Sequence, residues 1–248
     1  MDKIRVLIWD ENPSHAPKEI YPHGINGAIA EGLEALDPRI QATAINLDMA
    51  EQGCAEALLA EADVLFWWGH ARHHEVTEET ARRVFTNVHE RGMGLVALHS
   101  AHYSKTLQWV LACPGHLKGG WREAEPADTE EITVCAPRHP IAQGVSDFTL
   151  DREEMYGSPF DVPPPQCVVL QSYFPLGGEY FPSGACWSVG RGKTEGFTSG
   201  PGKGVGEGEG AGRVFYFRPG HETYPTYYDP NVRQIMRNAA VWCARKSG

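Results

Sequence analysis

The stretch Gly94–Ser104, GLVALHSAHYS, carries an apolar strand, Leu95 to Leu98, straight into a histidine-bearing turn and the start of a helix. A continuous apolar run of this length marks a strand covered on both faces, as in a parallel sheet. Ligands of open parallel sheets bind in the crevice beyond the carboxyl ends of the strands, so His99 and Ser100 are expected at that edge. Ala97 and Ala101 flank His99 with small side chains, as a sharp strand-to-helix elbow requires. The slot that often holds a Ser or Cys nucleophile holds an imidazole here. The alternative is a histidine whose ring is satisfied inside a tight turn.

Upstream of this stretch, strands and helices alternate. Lys3 to Trp9 reads as a strand, Ile25 to Leu36 as a helix with apolar residues at Ile25, Ile29, Leu33 and Leu36, and Ile40 to Leu47 as a second strand. A short helix over Glu51 to Glu61 leads into the strand Asp63 to Trp68. Thr77 is placed to cap a helix over Glu78 to Arg91. Four such alternations within a hundred residues predict parallel βαβ units with right-handed crossovers. After Cys113 the alternation breaks into short strands, such as Ile132 to Cys135 and Cys167 to Leu170, punctuated by Gly and Pro. Residues 190–212 contain too many glycines to pack as core and read as a flexible surface loop or lid. Arg213 to Phe217 resumes a strand, and Asp229 opens a last helix.

The 248 residues, 42% of them apolar, suffice for one domain, 1–248, with a sizeable core. No apolar run reaches 18 residues, and the first residues carry no export pattern, so a soluble, cytoplasmic protein is expected. The net charge of −10, with no basic tract, argues against nucleic acid and anionic membrane as partners. The six scattered cysteines contain no CxxC pair and read as reduced thiols that fill core. A homo-oligomer, commonest as a dimer, is the expectation for an enzyme of this size.

The strand ends carry the chemistry. Asp10, Glu11, Asn12 and His15 follow the first strand; Gly69, His70, His73, His74 and Glu75 follow the third. His99, Ser100 and His102 follow the fourth, and Arg218, His221 and Glu222 follow the strand at Phe217. A parallel sheet brings these turns to one edge. Imidazoles with carboxylates are the ligands of a divalent metal, zinc foremost, and His70, His99, His221 and His15 are the candidate ligands. Without metal the same rings would bond loop backbone or orient a sugar hydroxyl. His73 and His74 read as solvated or as capping the next helix. In the acid–base alternative, His99 or His221 moves a proton with Glu154 and Tyr156 assisting. Ser100 lacks a GxSxG setting for a nucleophile. Trp121 and Arg122, with Glu222 and His102, are the candidate substrate contacts, since an aromatic face and hydrogen-bonding groups suit a polyhydroxylated ligand.

The segments VLIWDEN with His15, DVLFWWGHARHHEV, GMGLVALHSAHYSK, LKGGWREAE, RHPIAQGV, REEMYG and GRVFYFRPGHETYPTYYDP cover nearly the whole chain. In these segments it resembles the ThuA-like (trehalose utilisation) family. The resemblance implies an α/β fold of the flavodoxin-like, class I glutamine amidotransferase-like type. That is a three-layer sandwich with a mostly parallel sheet and extra strands in the C-terminal half. It implies carbohydrate catabolism, with trehalose or a related, oxidised (keto) disaccharide as the small-molecule sugar, by hydrolysis or isomerisation. Amidotransferases of this fold carry Cys at the elbow where this chain has His99, so glutaminase activity is not expected. A non-catalytic sugar-binding or regulatory protein on the same fold is the alternative. The Gly-rich segment from Lys193 to Gly210 departs from the family pattern as an insertion.

Overall fold

The computed structural model describes residues 2–123, 128–190, 193–194, 206–207 and 212–245. Its centre is a nine-stranded sheet in the order β2-β1-β3-β4-β13-β10-β9-β6-β7. The strands β1 (Ile4–Asp10), β2 (Ile40–Asn46), β3 (Val64–Gly69), β4 (Gly94–His99) and β13 (Gly212–Phe217) form a parallel block. The remaining four, β6 (Asp128–Val134), β7 (Phe148–Glu153), β9 (Cys167–Phe174) and β10 (Glu179–Val189), extend it antiparallel. Two small pairs stand apart: β5 (Trp121–Arg122) with β8 (Met155–Tyr156), and β11 (Lys193–Thr194) with β12 (Gly206–Glu207). The expected loop at 190–212 otherwise lies outside the described residues.

Both faces of the parallel block are apolar, and the alternation of side chains divides them between two cores. Val6 and Ile8, Phe66 and Trp68, Val96 and Leu98, and Phe215 and Phe217 pack under α1 (Gly24–Leu36) and α5 (Pro230–Cys243). Leu7 and Trp9, Leu65 and Trp67, Leu95 and Ala97, and Val214 and Tyr216 face α2 (Glu56–Glu61), α3 (Glu78–Thr86) and α4 (Lys105–Leu111). These strands therefore read as unbroken apolar runs. Trp9 and Trp67 stack at 3.7 Å between ring centroids. Three cysteines, Cys54, Cys186 and Cys243, are buried, and none of the six is in a disulfide.

Local chemistry sets the element ends. Thr77 caps α3 by accepting the Thr80 N–H, and Asp229 caps α5 by accepting those of Asn231 and Val232. The helix expected over Glu51 to Glu61 divides instead. Glu51 and Gln52 adopt left-handed backbone, and α2 starts only at Glu56. Tertiary bonds hold that kink: the Trp9 indole donates to the Gln52 carbonyl at 2.8 Å, and the Gln52 amide donates to the Glu75 carbonyl at 2.8 Å. The helix expected to reach Arg91 ends at Thr86 and closes with a π turn over Asn87–Arg91. The antiparallel half is more regular than its Gly and Pro content suggested: β9 runs on to Phe174, and Glu179–Val189 is a strand despite Pro182 and Gly184.

Candidate active site at the sheet edge

The parallel order β2-β1-β3-β4-β13 reverses direction between β1 and β3, and ligands bind beyond the carboxyl ends at such a switch. His70 follows β3, His99 ends β4, and His221 and Glu222 follow β13. Glu154 and Tyr156 arrive from the β7–β8 segment. A cavity of about 330 Å³ opens beyond the carboxyl ends of β3, β4 and β13, lined by His70, Ser100, Tyr103, Trp121, Glu123, Glu154, Tyr156 and His221.

His99 sits at φ 56° and ψ −125°, left-handed backbone that a β-carbon resists and that the surrounding packing must hold. The Tyr216 hydroxyl donates to its carbonyl at 3.0 Å, and its ring stacks on Trp68 at 5.8 Å. Its Nε2 lies 3.1 Å from His70 Nδ1 and 3.6 Å from Glu154 Oε2, while Nδ1 lies 3.3 Å from the Tyr156 hydroxyl. Burial, reinforced by His70 and His221, holds its pKa well below the ordinary 6.5, so the imidazole is neutral at physiological pH. Burial acts oppositely on Glu154: with the Glu153 charge beside it, the carboxyl is raised from 4.5 to about 8 and stays protonated near neutrality. A neutral base thus stands next to a protonated acid.

His221 Nδ1 accepts the Thr223 N–H at 3.2 Å, which leaves the ring proton on Nε2, 3.4 Å from Glu154 Oε1. Gly220, at φ +123°, makes this turn possible, because a β-carbon there would lie 2.2 Å from the Tyr227 hydroxyl. Glu222 is buried and accepts from His15 Nε2 at 2.8 Å, with His70 Nε2 at 3.5 Å. Beneath the site, Arg218 is fully buried against both carboxylate oxygens of Glu130 and donates to the Glu154 carbonyl at 2.7 Å. Glu153, accepting from Gly220 N–H at 3.0 Å and from the Thr226 hydroxyl, joins the same network.

The structure therefore brings His70, His221, Glu154, Tyr156 and Trp121 together around one cavity, with His99 buried directly behind His70 and Glu154. His15 stands at the rim, half exposed, bonded to Glu222 and with its ring 5.7 Å from that of His70. Two expected substrate contacts fall elsewhere. His102 is fully buried below the floor, its Nδ1 2.7 Å from the Gly115 carbonyl, because the 3₁₀ turn Ser100–Tyr103 rotates it into the core. Arg122 points away from the cavity because successive residues of β5 face opposite sides; it bonds Glu179 and the Gly119 carbonyl. His73, expected in solvent or as a cap of the next helix, is mostly buried with Nδ1 3.3 Å from Glu11 Oε1. Glu11 was legible only as one strand-end acid among several. Its Oε2 accepts the N–H groups of Ala71 and Arg72, both at 2.7 Å, and so anchors the loop that carries His70.

Among the described residues, donor atoms fall into two groups compact enough for a metal ion, His15–His70–Glu222 and His70–His99–Glu154, with His70 common to both. His221 belongs to neither, in keeping with a proton on Nε2 where a ligand needs a lone pair.

The ThuA family model, described as trehalose utilisation, matches residues 5–243. Among solved structures, a protein from Parabacteroides merdae described as ThuA-like is 14% identical, with a TM-score of 0.61 over 98% of this chain and 90% of that one. A glutamine amidotransferase from Thermotoga maritima is 11% identical, with a TM-score of 0.54 over 99% of this chain and all of that one. No curated protein matches the chain. At these identities the structures show a shared amidotransferase-like fold, and the family match over almost the entire length decides membership. The chain belongs to the ThuA, or trehalose utilisation, family.

Proposed function

We propose that the protein is a cytoplasmic enzyme of carbohydrate catabolism that acts on a disaccharide or its keto-oxidised form by proton transfer between His99 and Glu154. One observation carries the reading: a neutral imidazole, buried on the strained elbow, lies 3.6 Å from a protonated carboxyl that lines a sugar-sized cavity. In this arrangement a hydroxyl, a water or a carbon next to a carbonyl loses a proton to His70 on the cavity wall, which passes its Nδ1 proton to His99 Nε2 3.1 Å away, while Glu154 gives its own to the oxygen that gains charge. Tyr156, hydrogen-bonded at 2.5 Å to Ser100, orients the His99 ring, and the exposed Trp121 face stacks on the sugar. An imidazole in place of the thiol speaks against glutamine hydrolysis. His99→Ala should abolish turnover of trehalose and keto-trehalose while circular dichroism stays native. Unchanged turnover overturns the assignment, and sugar binding without turnover in the wild type would leave a binding protein.

The two compact donor groups favour a second reading, in which a divalent metal polarises a carbonyl or water at the same edge. Two imidazoles with one carboxylate form a zinc-type donor set, and Glu222 Oε2 is buried with no hydrogen-bond partner among the described residues. Elemental analysis of untagged protein tests it. One zinc per chain, lost in His70→Ala and kept in His221→Ala, would establish the site; metal-free protein that takes up no zinc on titration would remove it.

A further inference from the structure

Tyr224 has two surroundings. Its ring packs beside His221 at 5.2 Å between centroids, and its hydroxyl donates to Glu123 Oε1 at 2.5 Å, so it backs the wall of the histidine cavity. The same side chain lines a second cavity of about 440 Å³, together with Thr149, Asp151 and Arg152 of β7 and Tyr228 and Asp229 ahead of α5. Tyr224 thus borders the second cavity and touches two residues that line the first.

The second cavity carries polar groups that the fold does not use. Strand β7 is the outer edge of the nine-stranded sheet, paired only with β6. Leu150 and Glu153 of β7 turn inward, which leaves Asp151 and Arg152 at the surface. Neither makes a hydrogen bond or ion pair among the described residues. Guanidinium donors, a carboxylate acceptor and tyrosine rings are together what a pyranose requires: partners for adjacent hydroxyls and a face for its C–H groups. The carboxylates of Asp151 and Asp229 on the same wall disfavour a phosphate or a sugar acid.

We propose that this second cavity is an outer sugar subsite, holding the distal ring of a disaccharide whose reacting ring occupies the histidine cavity, with Tyr224 as the shared wall. The proposal rests on the sugar-acting reading above and adds where the second ring of the disaccharide is held. Glucose should engage the inner cavity alone.

Isothermal titration with trehalose, keto-trehalose and glucose, on wild type, Thr149→Trp and Arg152→Ala, tests it. Both substitutions are at exposed positions of β7, and melting curves confirm that each variant is folded. The proposal expects disaccharide affinity to fall at least tenfold in both variants while glucose affinity is unchanged. Disaccharide affinity that matches the wild type in both variants overturns the subsite and leaves the proposed function standing. Glucose affinity that falls in parallel with the disaccharides also overturns it, because the cavity would then serve a single ring. Wild-type protein that binds neither disaccharide removes the sugar-acting reading and the subsite together.

Discussion

Replacing Glu154 by Gln removes one titration while keeping the side chain's volume, and the pH dependence of the effect follows from the carboxyl's surroundings. Burial and the neighbouring Glu153 raise the folded-state pKa from 4.5 to about 8. Such a carboxyl holds its proton more tightly folded than unfolded. Its contribution to stability is fully present below about pH 4.5 and is lost as pH rises toward 8. At about 1.36 kcal/mol per pH unit, the loss across that window is roughly 4–5 kcal/mol. Gln titrates nowhere in this range, so Glu154→Gln should match the wild type at pH 4 and exceed it by several kcal/mol at pH 9. The contribution of Asp10, raised to about 6, occurs in both proteins and cancels in the difference. Urea unfolding followed by tryptophan fluorescence at pH 4, 6, 8 and 9 measures it. A difference that stays flat with pH would refute the claim that Glu154 is protonated in the folded protein, and with it the acid in the proposed mechanism. Turnover should move the other way, falling by about 10²- to 10⁴-fold because Gln has no proton to give.

Arg218→Met should destabilise by about 3–5 kcal/mol, because it leaves the buried Glu130 and Glu153 carboxylates without their cation; a loss under about 1 kcal/mol in urea unfolding would show that the network is not structural. Trp121 is 60% exposed, so Trp121→Ala should change stability by less than about 0.5 kcal/mol. It should raise KM for the disaccharide several-fold at constant kcat, and an unaltered KM would remove Trp121 from the substrate site.

Much of the frame was readable along the chain. The runs at Val64 to Trp68 and Leu95 to Leu98 are apolar at every position because both faces of these strands are covered, and only a parallel block beneath two helical layers asks for that. The cap at Thr77 and the helix start at Asp229 were visible because capping is a local contest between a side chain and the next few N–H groups. The left-handed kink at Glu51 and Gln52 was not, since bonds from Trp9 and to Glu75 hold it, residues distant in sequence. Strand β10 was hidden for the same reason: its pairing with β9 and β13 outweighs Pro182 and Gly184, whose weak strand preference was all that local reading could see.

The site divides in the same way. By itself the sequence determined which turns would meet, because a parallel sheet delivers every strand's carboxyl end to one edge, and this placed His70, His99 and His221. Only the tertiary structure decided what each ring faces. Burial separates the protonation states of His99 and Glu154, the Thr223 N–H selects the His221 tautomer, and Glu11 anchors the loop of His70 from another strand. It also turned His102 into the core and Arg122 away from the cavity. Composition and spacing specify which groups reach the edge. Their direction and charge depend on desolvation and on partners from remote segments, which exist only once the chain has folded.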